Sequence, residues 1–176
     1  MAAISVPDWE NDMSPWPGAA VFPNGAGYSG NAGSYLHFLT SEIVPHVGNI
    51  TGHAQAYSAI AGYSLGGLFA VYSAYNTTAF TRFASVSGSL WYPGFVEYVS
   101  SHTMAVHPDY FYLSLGDKEE KTHNKIISAV GRNTSVFSEL LYKEHINTVY
   151  EINTGGHYNE PAMRTAKGIC HILSCR

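Results

Sequence analysis

A serine held between glycines, in Gly62-Tyr63-Ser64-Leu65-Gly66-Gly67, constrains the fold of this chain more than any other feature. An apolar run precedes it (Tyr57, Ala59, Ile60, Ala61) and a helical run follows it (Leu68, Phe69, Val71, Tyr72). Strand, sharp turn and helix in that order make a nucleophile elbow, with the serine at the carboxyl end of the strand. The glycines have a steric reason, because the turn presses backbone against backbone where a Cβ would obstruct. The Leu65 N–H opens the helix, where an unpaired donor and the positive end of the helix dipole can meet a developing oxyanion. The plain alternative is a glycine-rich turn between a strand and a helix, so the rest of the chain has to decide.

Strands and helices alternate around this turn. Ile4 to Val6 reads as a short strand ended by Pro7, and residues 8–33 read as an ordered loop rich in Gly, Pro, Asn and Trp. Ser34 is a candidate N-cap for a helix from Tyr35 to about Val47, with Pro45 kinking or shortening its end. Then come a strand (57–63), a helix (66–75), a strand (83–87), a helix (95–102) and a strand (110–115). One or two helices (124–145), a strand (149–152) and a final helix (160–173) complete the order. Such alternation predicts an α/β fold, a mostly parallel sheet with helices on both faces. No repeat, low-complexity tract or linker divides the 176 residues, so one domain is expected over residues 1–176.

Composition excludes several classes. Hydrophobic residues make up 45% and charged residues 12%, as in a globular chain. A net charge of −4 and no run of Lys and Arg give no footprint for nucleic acid. No apolar stretch approaches the ~20 residues of a membrane span. Met1 to Val6 has no basic segment followed by a long apolar one, so a cytoplasmic location is the expectation. Cys170 and Cys175, five apart in the last helix, would face different sides and are not expected to pair. No His-Glu-x-x-His or similar spacing occurs, and no metal or other cofactor is implied.

A serine hydroxyl needs a base, and in this fold the order is serine, acid, histidine. Of nine histidines, His157 in Thr154-Gly155-Gly156-His157-Tyr158 follows the last strand and precedes the last helix, where such a base belongs. The acid should follow the strand that ends at Leu115, and Asp117, Glu119 and Glu120 all qualify. Reach across to the histidine favours Glu119, a few residues beyond the strand end. Trp9, Trp16, Trp91 and Tyr92 are candidates to line a substrate pocket, since loops at the carboxyl edge of such sheets bind ligands.

At these residues the chain resembles the putative-esterase (esterase D-like) family of α/β hydrolases, which includes siderophore esterases, feruloyl esterases and mycolyltransferases. The resemblance runs in order through Ile4-Ser5-Val6-Pro7-Asp8-Trp9, Ser14-Pro15-Trp16, Tyr35-Leu36, Glu42-Ile43-Val44-Pro45 and the Ser64 segment. It continues through Ser87-Gly88-Ser89-Leu90-Trp91, Leu113 to Glu119, Gly155-Gly156-His157 and Arg164 to Ile169. It implies an α/β-hydrolase fold with Ser64 as nucleophile, His157 as base and Glu119 at a Gly-x-x-acid position. It also implies strands before Met1, one of which would lie between the Ile4 and Tyr57 strands and be followed by the loop supplying a second oxyanion N–H. This chain then reads as the C-terminal portion of such a domain, with unpaired sheet edges that favour self-association.

The expected function is hydrolysis of a small-molecule carboxylic ester through an acyl-enzyme on Ser64. The rival expectations are an impaired remnant that serves as a binding or structural domain, and acyl transfer by the same acyl-enzyme.

Overall fold

The structure, a computed structural model, describes residues 1–22, 25–52 and 56–174. Its centre is a sheet of four parallel strands in the order β3-β4-β5-β6: Ala59–Tyr63, Arg82–Val86, Tyr110–Gly116 and Thr148–Asn153. Before it come a short helix α1 (Trp9–Asp12) and a two-residue antiparallel ladder of β1 (Pro17–Gly18) with β2 (Tyr28–Ser29). Helices α2 (Ala32–Phe38) and α3 (Val44–Thr51) follow, joined by a π-helical turn at Leu39–Ile43. Helix α4 (Leu65–Asn76) links β3 to β4, α5 (Phe95–Ser101) links β4 to β5, and α6 (Val130–Lys143) links β5 to β6. Helix α7 (Pro161–Ser174) ends the fold.

Consecutive strands add in one direction, so right-handed crossovers put α4, α5 and α6 on one face of the sheet. Side chains alternate to match. Phe83 of β4 and Phe111, Leu113 and Leu115 of β5 join Leu68 of α4, Phe95 of α5 and Phe137 of α6 in the main core. On the opposite face Ala84, Val86 and Tyr112 pack with Ile172 of α7. Gly168 lets α7 approach, since a Cβ there would lie 2.9 Å from Val86 and 3.1 Å from Tyr112. β4 is buried throughout and β5 nearly so, as strands covered on both faces must be.

The N-terminal third corrects the sequence expectations. Ile4 to Val6 form no strand: Ile4 is exposed and only Val6 packs against the core. A lone extended segment has no ladder to satisfy its backbone groups, and Pro7 then turns the chain into α1. β3 is therefore the sheet edge on that side, bonded to β4 alone among the described residues. Within residues 8–33 the loop contains α1 and the β1–β2 ladder, and residues 23–24 lie outside the described ones. The first long helix begins at Ala32 after Asn31, not at Ser34. Pro45 does not end it, because the wider turn at Leu39–Ile43 precedes the proline and the chain stays helical to Thr51. Cys170 is exposed on α7, while Cys175 lies outside the described residues. Among the described residues no helix is long and apolar enough to cross a membrane.

Phe137 shows where stability concentrates: it is fully buried, edge-on to both Phe95 (5.8 Å) and Phe111 (5.3 Å). Phe137→Ala should lower unfolding free energy by about 3–5 kcal/mol through lost burial and the cavity left behind. Urea denaturation followed by circular dichroism measures it.

Candidate active site

Three side chains meet above the carboxyl ends of β3, β5 and β6. Ser64 follows β3 and takes φ 58°, ψ −122°, a conformation a residue with a Cβ adopts only under constraint. Its N–H donates to Val86 O (3.1 Å), and its carbonyl accepts from Leu68 N (3.1 Å) and Ser89 N (2.9 Å). Gly62 must be glycine, because a Cβ there would sit 2.1 Å from the Gly66 carbonyl oxygen. Backbone bonds and close packing thus hold the turn, and Leu65 N–H opens α4 beside the serine.

His157 comes from the loop after β6. Its Nε2 lies 3.0 Å from Ser64 Oγ and its Nδ1 lies 2.8 Å from Glu119 Oε2. The Tyr63 hydroxyl donates to the His157 carbonyl and steadies that loop from β3. Glu119 follows β5, with its side chain only 3% exposed against 28% for His157. Its Oε1 accepts from Gly116 N (2.7 Å) and Arg164 Nη1 (3.1 Å). Burial alone would push this carboxyl up, but hydrogen bonds from His157, Gly116 N–H and Ser87, with the nearby His157 ring, outweigh it. The net effect holds Glu119 below its ordinary value, so it is a carboxylate at neutral pH.

The protons follow. A carboxylate only accepts, so Nδ1 carries the imidazole hydrogen and Nε2 is left bare to accept from the Ser64 hydroxyl. The Ser89 hydroxyl, 3.3 Å from Ser64 Oγ, is then placed to donate to it. This is the arrangement that makes a serine hydroxyl nucleophilic.

The two other carboxylates after β5 have different surroundings. Asp117 Oδ1 accepts from Gly155 N (2.7 Å) and braces the loop that carries His157. Glu120 is exposed on the far side of the turn, packed over Gly131, where a Cβ would come within 2.0 Å of its Oε2. Of the three, the fold brings Glu119 to the histidine.

Above Ser64 opens a cleft of about 380 Å³, walled by Trp9, Phe22, Tyr28, Trp91 and Tyr158, with Lys118 and Lys121 on its rim. Trp16 and Tyr92 are not among its walls, which corrects the expectation that they line a substrate pocket. Trp16 Nε1 donates to Pro93 O (2.8 Å), while Tyr92, 1% exposed, donates to Trp16 O (2.7 Å). Both anchor the N-terminal loop to the core. Sequence reading missed the walls supplied by Phe22, Tyr28 and Tyr158, and it gave Arg164 no contact with Glu119. Phe22 and Tyr28 lie far from any motif in the chain, whereas Tyr158 could have been suspected from its place beside His157. Among the described residues no three His, Cys, Asp or Glu side chains gather in a metal-binding cluster.

Comparison with known proteins adds ancestry to this geometry. A family model described as putative esterase matches residues 1–160. A relative from Bacillus subtilis (strain 168), "Uncharacterized protein YbbA", is 26% identical over 120 residues, which are 66% of this chain and 48% of the relative. This chain therefore spans about half the length of that relative. The siderophore hydrolase EstA from Aspergillus nidulans superposes with a TM-score of 0.71 at 20% identity, over 99% of this chain and 69% of that one. An IroE-like serine hydrolase from Shewanella oneidensis does so with a TM-score of 0.74 at 16% identity, over 92% and 55%. At such identities the likeness shows the fold, that of the α/β hydrolases.

The depressed Glu119 carboxyl makes acid stability a readout of the site. A carboxyl held below its unfolded value stabilises the fold fully above about pH 4.5, and the contribution fades as pH falls through the lower folded value. Urea unfolding from about pH 6 down to about pH 3 should give stability curves for the chain and Glu119→Gln that converge towards acid. Parallel curves would mean that Glu119 does not titrate as the geometry requires.

Proposed function

Because the chain belongs to the putative-esterase family, we propose that it cleaves carboxylic esters through an acyl-enzyme on Ser64. The observation that carries this reading is the unbroken run of hydrogen bonds from Ser64 Oγ through His157 to Glu119. His157 Nε2 takes the serine proton as Oγ attacks the ester carbonyl, and the imidazolium then gives that proton to the leaving alcohol. Glu119 fixes the ring and stabilises its charge in between. Leu65 N–H faces the developing oxyanion at the start of α4. Water, deprotonated by the same histidine, releases the acid and restores the serine.

The aromatic walls suit an ester whose acyl or alcohol part presents flat or apolar surface, oriented by a few polar groups at the mouth. EstA is a siderophore hydrolase, so siderophore-type esters are the natural compounds to try beside simple nitrophenyl esters.

A fluorophosphonate probe should label Ser64 and no other serine, because labelling needs an activated hydroxyl beside an oxyanion donor. Peptide mass spectrometry reads the position, and modification at Ser87 or Ser89 would sink the assignment. Ser64→Ala and His157→Ala should each lower ester hydrolysis by roughly 10⁴-fold or more while circular dichroism stays unchanged.

A further inference from the structure

Arg164 is an expensive residue where it stands. It lies in the first turn of α7, where a cation opposes the helix dipole, and its side chain is only 3% exposed. A buried ion pair is on average no more stabilising than well-packed apolar side chains of the same volume. Stability alone therefore does not account for an arginine at this position.

Its contacts suggest another account. Nη1 lies 3.1 Å from Glu119 Oε1 and 3.2 Å from Ser87 Oγ, and Nη2 donates to Thr154 O at 3.0 Å. Three loops of the site are thereby tied to one planar group. One carries Glu119. Another runs from Ser87, at φ 46°, to Ser89 beside the Ser64 hydroxyl. The third turns at Gly155, φ 105°, to present His157. With Gly116 N–H and the guanidinium both on Oε1, Glu119 is left with Oε2 for His157 Nδ1. Gly116 sits at the crossing: a Cβ there would meet Gly155 O at 2.3 Å, Glu119 Oε1 at 3.0 Å and Arg164 Nη1 at 3.1 Å.

We propose that Arg164 is a positioning residue for this hydrolysis, setting the orientation of Glu119 and, through Thr154, the placement of the His157 loop. The proposal rests on the serine-esterase reading above. Arg164 touches no reacting atom and works through the carboxylate. The fork geometry is essential to it, because a lysine keeps the charge as a single point and cannot span Glu119, Ser87 and Thr154 together.

The test is a double-mutant cycle on the whole chain with a nitrophenyl ester, paired with proton NMR of the low-field His157 Nδ1–H resonance. Arg164→Met should lower kcat about 10²-fold with little change in KM, and should broaden or move that resonance. Arg164→Lys should restore part of kcat but not all. In the Glu119→Gln background, Arg164→Met should cost little more, since the group it acts through has already been disabled. A folded Arg164→Met chain with normal kcat and an unmoved resonance overturns the proposal. So does a kcat loss of the same factor in the Glu119→Gln background. If Arg164→Met does not fold, Arg164→Lys decides: about a ten-fold lower kcat supports the proposal and an unchanged one overturns it. Ser64→Ala separates the two readings. Hydrolysis that survives it removes the esterase mechanism, while the resonance still reports whether Arg164 sets the Glu119–His157 pair.

Discussion

Glu119 is a charge kept out of water, and much of the site is arranged around that fact. A carboxylate with a 3% exposed side chain is stable only if its oxygens are satisfied. One oxygen takes a backbone N–H from Gly116 and a guanidinium from Arg164, and the other takes the imidazole of His157. Each partner comes from a different piece of chain: the end of β5, the first turn of α7 and the loop after β6. The electrostatic demand of one side chain therefore fixes the relative placement of segments that are remote in sequence. It also fixes the imidazole tautomer, and with it the direction in which the Ser64 proton can leave.

The elbow places the other half of the chemistry by steric means. Ser64 keeps its positive φ because three backbone hydrogen bonds hold its N–H and carbonyl and because Gly62 leaves room for the Gly66 carbonyl. Strain of this sort costs about 1–3 kcal/mol and persists only where the surroundings over-determine it. Here the surroundings are β4, buried throughout, and α4, whose residues from Leu65 to Val71 are all buried. Ser64 follows the edge strand β3, but its turn is anchored inward, through Val86 O and Ser89 N, to the neighbouring strand and its loop.

The legible parts of the sequence were those in which local pattern and tertiary demand agree. β4, β5 and β6 lie within a residue or two of their expected bounds because alternation and buried-strand composition point the same way. Ser64 and His157 were legible from the strand and helix around each. Among three neighbouring carboxylates, reach singled out Glu119, and the fold supplies the reason: Asp117 is engaged by Gly155 N–H. Ile4 to Val6 misled because β propensity means nothing without a neighbouring strand. Trp16 and Tyr92 misled because an aromatic near a motif looks the same whether it faces a ligand or pins a loop. Arg164 was not legible as a partner of Glu119, since nothing local distinguishes an arginine facing a buried carboxylate from one facing solvent.

The errors fall mostly in the first third of the chain, and that has a physical meaning. Those residues add nothing to the parallel sheet, yet Trp9, Phe22 and Tyr28 form a large share of the cleft wall over Ser64. Trp9 lies close enough to Gly66 that a Cβ there would meet its ring at 3.0 Å, so the segment is seated on the very turn that carries the serine. Its own supports are hydrogen bonds and aromatic contacts of particular residues, such as Trp16 on Pro93 and Tyr28 on Tyr92, not a periodic apolar pattern. A wall built from irregular backbone can change shape without disturbing the sheet, because loops tolerate substitution far better than the strands beneath them. The meeting of Ser64, His157 and Glu119 is thus set by the ends of the pattern-encoded strands, and the shape of the cleft above them largely by the irregular part. The same division explains why the meeting of Ser64, His157 and Glu119 was legible in the sequence and the outline of the cleft above them was not.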